Sequence, residues 1–206
     1  MAYVIVGLGN PGEEYTNTRH NTGRIILEIA KKSFDDCSNW ELDKKNKVLI
    51  SKANAGGNLP AGRHGKVLLA MPDNFMNNSG GSIKSFIKSP KDAENLMVIH
   101  DDLDLAIGTM KISFNRGSGG HKGVESIIKN IKTEAFVRIR IGISTVTPGG
   151  KLKKPKGEKD VAKFILAEFR KSEMDLLKKI GKKVGDAIVT LITEGRGKAM
   201  SLYNQA

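Results

Sequence analysis

Gly7–Gly23, GLGNPGEEYTNTRHNTG, sets the architecture because it follows Tyr3–Val6, a β-branched and aromatic run that Gly7, Gly9, Pro11 and Gly12 bring to an end. A short apolar strand that empties into a glycine-punctuated polar loop is how an open α/β sheet presents residues to its ligand crevice. The loop gathers Asn10, Tyr15, His20 and Asn21, a set of polar side chains suited to a reactive site. Gly7, Gly9 and Gly12 also satisfy G-x-G-x-x-G, the dinucleotide fingerprint. That fingerprint requires a helix that starts at the third glycine and turns small or apolar residues to the sheet. EEYTNTRHNT is polar apart from Tyr15, and Pro11 biases Asn10 toward extended backbone. A nicotinamide-dependent oxidoreductase is therefore a minor alternative.

Outward from this loop, strand-like and helix-like apolar runs alternate without a clear linker, which predicts one mixed α/β domain over residues 1–206. Strands are expected at Tyr3–Gly7, Val48–Ala53, Lys66–Ala70, Leu96–His100, Thr109–Ser113 and Val137–Ile143. Helices are expected at Asn21–Lys32, Ser79–Ile87, Lys122–Ile131 and Ser172–Ile192. In the last of these, Leu177, Ile180, Val184, Ile188 and Leu191 form a core-facing stripe. In the RIRIGI run, alternation puts Ile139, Ile141 and Ile143 on one face and Arg138 with Arg140 on the other. The two arginines are either solvated or paired with acids, or they hold a phosphate. The Gly-, Pro- and Lys-rich residues 146–160 read as a basic loop, either inert or a mobile flap over substrate.

Charge narrows the partner. The 206 residues carry 34 Lys+Arg against 22 Asp+Glu, a net +12. The first fifty residues are balanced, whereas from Lys151 onward cations outnumber acids two to one. Such one-sided basicity favours a polyanion, and nucleic acid above others. No apolar run is long enough to span a membrane, no signal-peptide pattern opens the chain, and an intracellular, cytoplasmic location is expected. The lone Cys37 has no partner for an internal disulfide or a multi-cysteine zinc site.

Three further motifs carry polar groups at strand or helix ends. HDDLD holds Asp101, Asp102 and Asp104, which reads as a hydrogen-bonded acidic turn, a metal site lacking a complementary ligand set, or a source of the carboxylate that orients a histidine base. PDNFMNNSGGS sets Asn77 and Asn78 before Ser79, as helix caps or as site residues. NRGSGGHKG surrounds His121 with glycines ahead of a helix, either a plain turn or an entry that binds an anion.

The order and spacing of GLGNPGEEYTNTRHNTG, FMNNSG, HDDLD and GSGGHKG resemble bacterial peptidyl-tRNA hydrolase over almost the whole chain. The resemblance implies a compact α/β monomer, a mixed twisted sheet flanked by helices, that needs no metal or other cofactor. The implied reaction is hydrolysis of the ester joining a peptide to the 3′-terminal ribose of tRNA, with a preference for N-blocked peptidyl ends. His20 would be the general base on water and Asp101 its orienting carboxylate. Asn10 and Asn77 would bind the peptide end, with Asn21 in support and Tyr15 shaping the wall. His121 would lie near the acceptor end, and Arg140 toward the tRNA 5′-phosphate. Two positions depart from the pattern. Lys122 stands where the family usually has asparagine, and Ser113 where relatives have a lysine that Lys111 or Arg116 would replace. The altered GGHKG loop leaves an RNA-binding relative without turnover as the alternative.

Overall fold

β1 (Tyr3–Gly7) is the central parallel strand, and its residues alternate between two cores: Ile5 faces one, Val4 and Val6 the other. A computed structural model describes residues 2–56 and 65–205. In chain order the helices are α1 (Thr22–Ala30), α2 (Ser79–Ile83), α3 (Pro90–Ala93), α4 (Lys122–Ile131), α5 (Glu158–Leu166), α6 (Lys171–Thr193) and α7 (Arg196–Tyr203). The further strands are β2 (Glu41–Asp43), β3 (Val48–Asn54), β4 (Lys66–Pro72), β5 (Leu96–Ala106), β6 (Met110–Phe114), β7 (Val137–Val146) and β8 (Leu152–Lys153). The sheet runs β2-β3-β4-β1-β5-β7-β6, with β8 paired to β7.

β1 is parallel to both β4 and β5, and β5 is parallel to β7, while the outer pairings are antiparallel. The chain reaches β4 on one side of β1 and then crosses to β5 on the other. The carboxyl ends of β1, β4 and β5 therefore frame a crevice at the point where the order turns, the position at which open α/β sheets bind ligands. One core packs Ile5, Met97, Ile99, Ile139 and Ile141 against α1, α6 and α7. The other packs Val4, Val6 and Val98 against α2 and α4 through Ile83, Val124 and Ile127. The isoleucines of RIRIGI and the whole α6 stripe are buried, as alternation and helical spacing predict.

Three elements differ from expectation for identifiable reasons. β5 continues through HDDLD to Ala106 instead of turning after His100, because β7 goes on pairing with it, Asp102 lying opposite Gly142. The expected helix at Ser79–Ile87 stops at Ile83, and Lys84–Phe86 tightens into a 3-10 turn. The region between Asn21 and Lys32 divides likewise, Arg19–Asn21 and Lys31–Ser33 being 3-10 turns on either side of α1. In residues 146–160 the chain folds back so that β8 pairs with the end of β7, and α5 begins at Glu158.

Candidate active site

The loop after β1 is braced by its own side chains. Asn21 donates from Nδ2 to the Asn10 carbonyl and accepts the Asn10 N–H at Oδ1, at 2.9 and 2.8 Å. Thr18 Oγ1 donates to the Tyr15 carbonyl and Thr22 Oγ1 to that of Arg19. Asn21 thus uses its polar atoms to hold the loop. Asn10 Oδ1 accepts the Met76 N–H at 2.8 Å, joining this loop to the one after β4, and among the described residues the Asn10 amide NH2 has no acceptor. The same two loops meet through an edge-to-face contact of Tyr15 with Phe75, whose ring is 57% exposed. No helix starts at Gly12. Two 3-10 turns intervene before α1, so the dinucleotide geometry is not formed.

His20 lies in the buried turn just before α1, and Asp101 on β5 at the next strand end. His20 Nδ1 is 3.1 Å from both Asp101 carboxylate oxygens. His121 Nε2 reaches Oδ1 of the same carboxylate at 2.9 Å. His121 is also the N-cap of α4, its Nδ1 accepting the N–H groups of Gly123 and Val124 at 3.2 and 3.4 Å. A ring nitrogen that accepts carries no proton, so His121 is the Nε2–H tautomer and donates to Asp101. The loop residue expected near the acceptor end is thus hydrogen-bonded to the Asp101 carboxylate and to the first turn of α4.

Burial alone would raise the Asp101 carboxyl, but the His20 charge, with the hydrogen bonds from His121 and His20, holds it well below the ordinary carboxylate range. Burial alone would lower His20, yet the Asp101 charge and hydrogen bond raise it above 6.5. With Nδ1–H given to the carboxylate, Nε2 is the nitrogen left to take a proton. His100, missed from the sequence, packs its ring 4.7 Å from that of His121 and donates Nδ1–H to the Asp101 carbonyl at 2.7 Å. Its complete burial pushes its pKa well below 6.5, so it adds no charge beside Asp101.

His20, Asp101 and His121 place possible ligand atoms within 4.8 Å of one another. They are nevertheless a poor metal site. Since Nδ1 of His121 accepts from the helix, Nε2 holds the proton and has no lone pair to offer.

A cavity of about 1330 Å³ opens beside the dyad, lined by His20, His100, Asp101 and the loop carrying His121. Its far wall is cationic. Lys111 and Arg116 reach it from exposed positions, and Arg138 and Arg140 from β7. The three acids of HDDLD separate: Asp101 serves the histidines, Asp102 accepts from Arg140 Nε at 2.6 Å, and Asp104 accepts from Lys154 at 2.6 Å. Arg140 is thus already paired. Arg138 is buried and has no ion pair among the described residues, and its Nε and Ser113 Oγ both lack hydrogen-bond partners. Periodicity could place both arginines on this face but could not tell which one Asp102 neutralises. Val161, Ala162 and Ile165 of α5 complete the wall, another contribution missed from the sequence.

Asn77 is exposed and lines a second, polar cavity of about 630 Å³ with Lys45, Lys47 and Lys129. Lys122 lies at the edge of both cavities, its Nζ 3.4 Å from Glu125 in an exposed pair.

The family described as Peptidyl-tRNA hydrolase matches residues 4–206. The chain belongs to the peptidyl-tRNA hydrolase family. Among relatives bearing that name, one from Alkaliphilus metalliredigens is 36% identical over 203 residues, covering 98% of this chain and 99% of its own. One from Aquifex aeolicus is 36% identical, covering 98% and 96%. The crystal structure of peptidyl-tRNA hydrolase from Acinetobacter baumannii superposes with a TM-score of 0.79 at 30% identity, covering 98% of this chain and 94% of that one. The resemblance read from four motifs is thus a membership that spans the peptidyl-tRNA hydrolase fold from β1 to α7.

Proposed function

We propose that this protein hydrolyses the ester between the peptide C-terminus and the 3′-terminal ribose of peptidyl-tRNA, as a cytoplasmic monomer that returns tRNA from aborted translation. The observation that carries this reading is the His20–Asp101 pair at the mouth of a cation-walled cavity. His20 Nε2 takes a proton from water as the water oxygen adds to the ester carbonyl. Asp101 stabilises the imidazolium that forms. Collapse of the tetrahedral intermediate breaks the bond to the 3′ oxygen, and the imidazolium returns its proton to that leaving group. The products are a free 3′-hydroxyl and a peptide carboxylic acid, which gives its proton to solvent and leaves as the carboxylate.

The Asn10 amide NH2 and Asn77 are the donors for the peptide end, and the Tyr15–Phe75 pair gives that end an apolar surface. Asn21 and His121 act by holding Asn10 and Asp101. Lys111, Arg116, Arg140 and Lys122 attract the tRNA phosphates, with Arg138 as the buried cation that has no ion pair among the described residues. No helix among the described residues is long and apolar enough to cross a membrane.

The test compares release of N-acetyl-aminoacyl groups from tRNA by wild type and His20→Ala, with unblocked aminoacyl-tRNA as control. Cleavage by wild type of the blocked substrate alone, lost on substitution with tRNA binding retained, is the expected result. Tight tRNA binding without wild-type cleavage would replace this reading with that of a non-hydrolytic RNA-binding relative.

A further inference from the structure

Arg19, the residue immediately before His20, is buried to 6% exposure and its guanidinium is flanked by two aromatic rings, with Phe164 and Phe169 each 4.8 Å from its carbon. Among the described residues only Nη2 finds an acceptor. It donates to both carboxylate oxygens of buried Glu173 at 3.0 and 2.8 Å, while Nε and Nη1 have no partner. Glu173 Oε2 also accepts the Arg170 N–H at 2.7 Å, which ties it to the start of α6. The backbone repeats the connection: Arg19 N–H donates to the Ala167 carbonyl, Phe169 N–H donates to the Asn17 carbonyl, and Thr18 bridges Glu168. Residues far along the chain are thereby clamped onto the turn that aims the histidine.

A buried ion pair is weak evidence for stability, since apolar residues of similar volume often serve as well. The desolvation cost of burying this one beside a reactive histidine points to geometry. We propose that the Arg19–Glu173 pair, held between Phe164 and Phe169, is a positioning device that keeps the His20 ring on Asp101. The inference rests on the hydrolase reading for its kinetic readout, though not for its spectroscopic one. Without the ion pair only main-chain bonds, Arg19 N–H to Ala167 and Phe169 N–H to Asn17, tie the Arg19–Asn21 turn to the 167–173 segment, and no side chain fixes its orientation there. A displacement of about 1 Å in a reacting group costs about 100-fold in rate.

The experiment uses Glu173→Gln, which keeps the volume and one acceptor, and Phe164→Leu, which removes one flanking ring and changes no charge. Both are measured as folded protein, checked by circular dichroism, for kcat and KM on N-acetyl-aminoacyl-tRNA and for the His20 imidazole titration by NMR. For Glu173→Gln, kcat is expected to fall about 10- to 100-fold with KM changed less than threefold. In both variants the His20 midpoint moves down toward 6.5, because the Asp101 contact that raises it is loosened. Phe164→Leu separates this from the field of an unpaired Arg19, since its ion pair survives. Wild-type kcat and a wild-type His20 titration in folded Glu173→Gln would overturn the proposal and leave the pair a staple only. If Glu173→Gln does not fold, Phe164→Leu decides: a lowered His20 midpoint supports the positioning role, and a wild-type titration overturns it. If wild type itself releases no peptide, the hydrolase reading fails while the His20 titration still decides this one.

Discussion

Replacing Asp101 by asparagine keeps the size of the side chain and removes its charge, and the hydrogen-bond geometry fixes what happens next. His121 Nε2–H points at Oδ1 from 2.9 Å, and it is a donor because its Nδ1 accepts from α4. In Asp101→Asn it therefore holds the new amide oxygen at the Oδ1 position. The amide NH2 falls at Oδ2, 3.1 Å from His20 Nδ1, where a donor now faces the nitrogen that must itself donate. The oxygen at the Oδ1 position, also 3.1 Å from Nδ1, must now serve both imidazoles beside that facing donor, which favours the His20 Nε2–H tautomer that cannot take a proton from water. His20 also loses the charge that lifts its pKa against burial. General-base assistance contributes about 10²- to 10⁴-fold, or roughly 3–5 kcal/mol of barrier, and kcat should fall by that much. The assay is single-turnover release of N-acetyl-aminoacyl groups from tRNA, with tRNA binding measured in parallel. His121→Ala added to Asp101→Asn lets the amide turn its oxygen to His20 and should recover part of the loss. A kcat within threefold of wild type for Asp101→Asn, or no recovery in the double variant, would refute this account of the dyad.

The rate should rise with pH through the elevated His20 pKa, above 6.5, as the imidazole becomes neutral, and a rate flat across that range would remove His20 as the base. Stability has the opposite sign at this group: a raised pKa contributes fully below the unfolded value and is lost as pH rises through the folded one, so thermal midpoints should fall slightly while activity climbs. Asp101 is depressed, so its contribution is complete above about 3.8 and drains away as pH falls toward its folded value; Asp101→Asn should show a flatter acid limb in melting experiments. Gly23→Ala would drive a Cβ into the Ile99 carbonyl and the Leu8 backbone where α1 meets β1 and β5, a forced shift expected to cost about 1–3 kcal/mol or more in urea unfolding. Arg138→Ala should weaken tRNA binding and reduce the salt slope by about one ion, with a smaller effect for Arg140→Ala because Asp102 already neutralises that cation; equal effects would contradict the pairing.

The sequence by itself determined whatever depends on a short period. β1, the bounds of α4, the buried stripe of α6 and the two faces of β7 follow from alternation or from three- and four-residue spacing, because neighbours along one element fix which side chains share a face. The histidine loop was legible because its breakers and polar residues are local, and Asp101 because four motifs in a fixed order resemble a family. Short elements were not legible. β2, β8 and α3 are too brief for a period to show, and α7 carries little amphipathic pattern. Tertiary structure alone decided the assignments that cross the chain. Asp101, Asp102 and Asp104 stand together on an unexpectedly long strand, and each meets a different cation or imidazole. Asp101 lies 81 residues from His20 and Glu173 lies 154 from Arg19, distances closed only by the parallel pairing of β1 with β5 and the docking of the 167–173 segment. Which carboxylate a histidine touches, and which arginine is left without one, are consequences of register and packing, and no local pattern carries them.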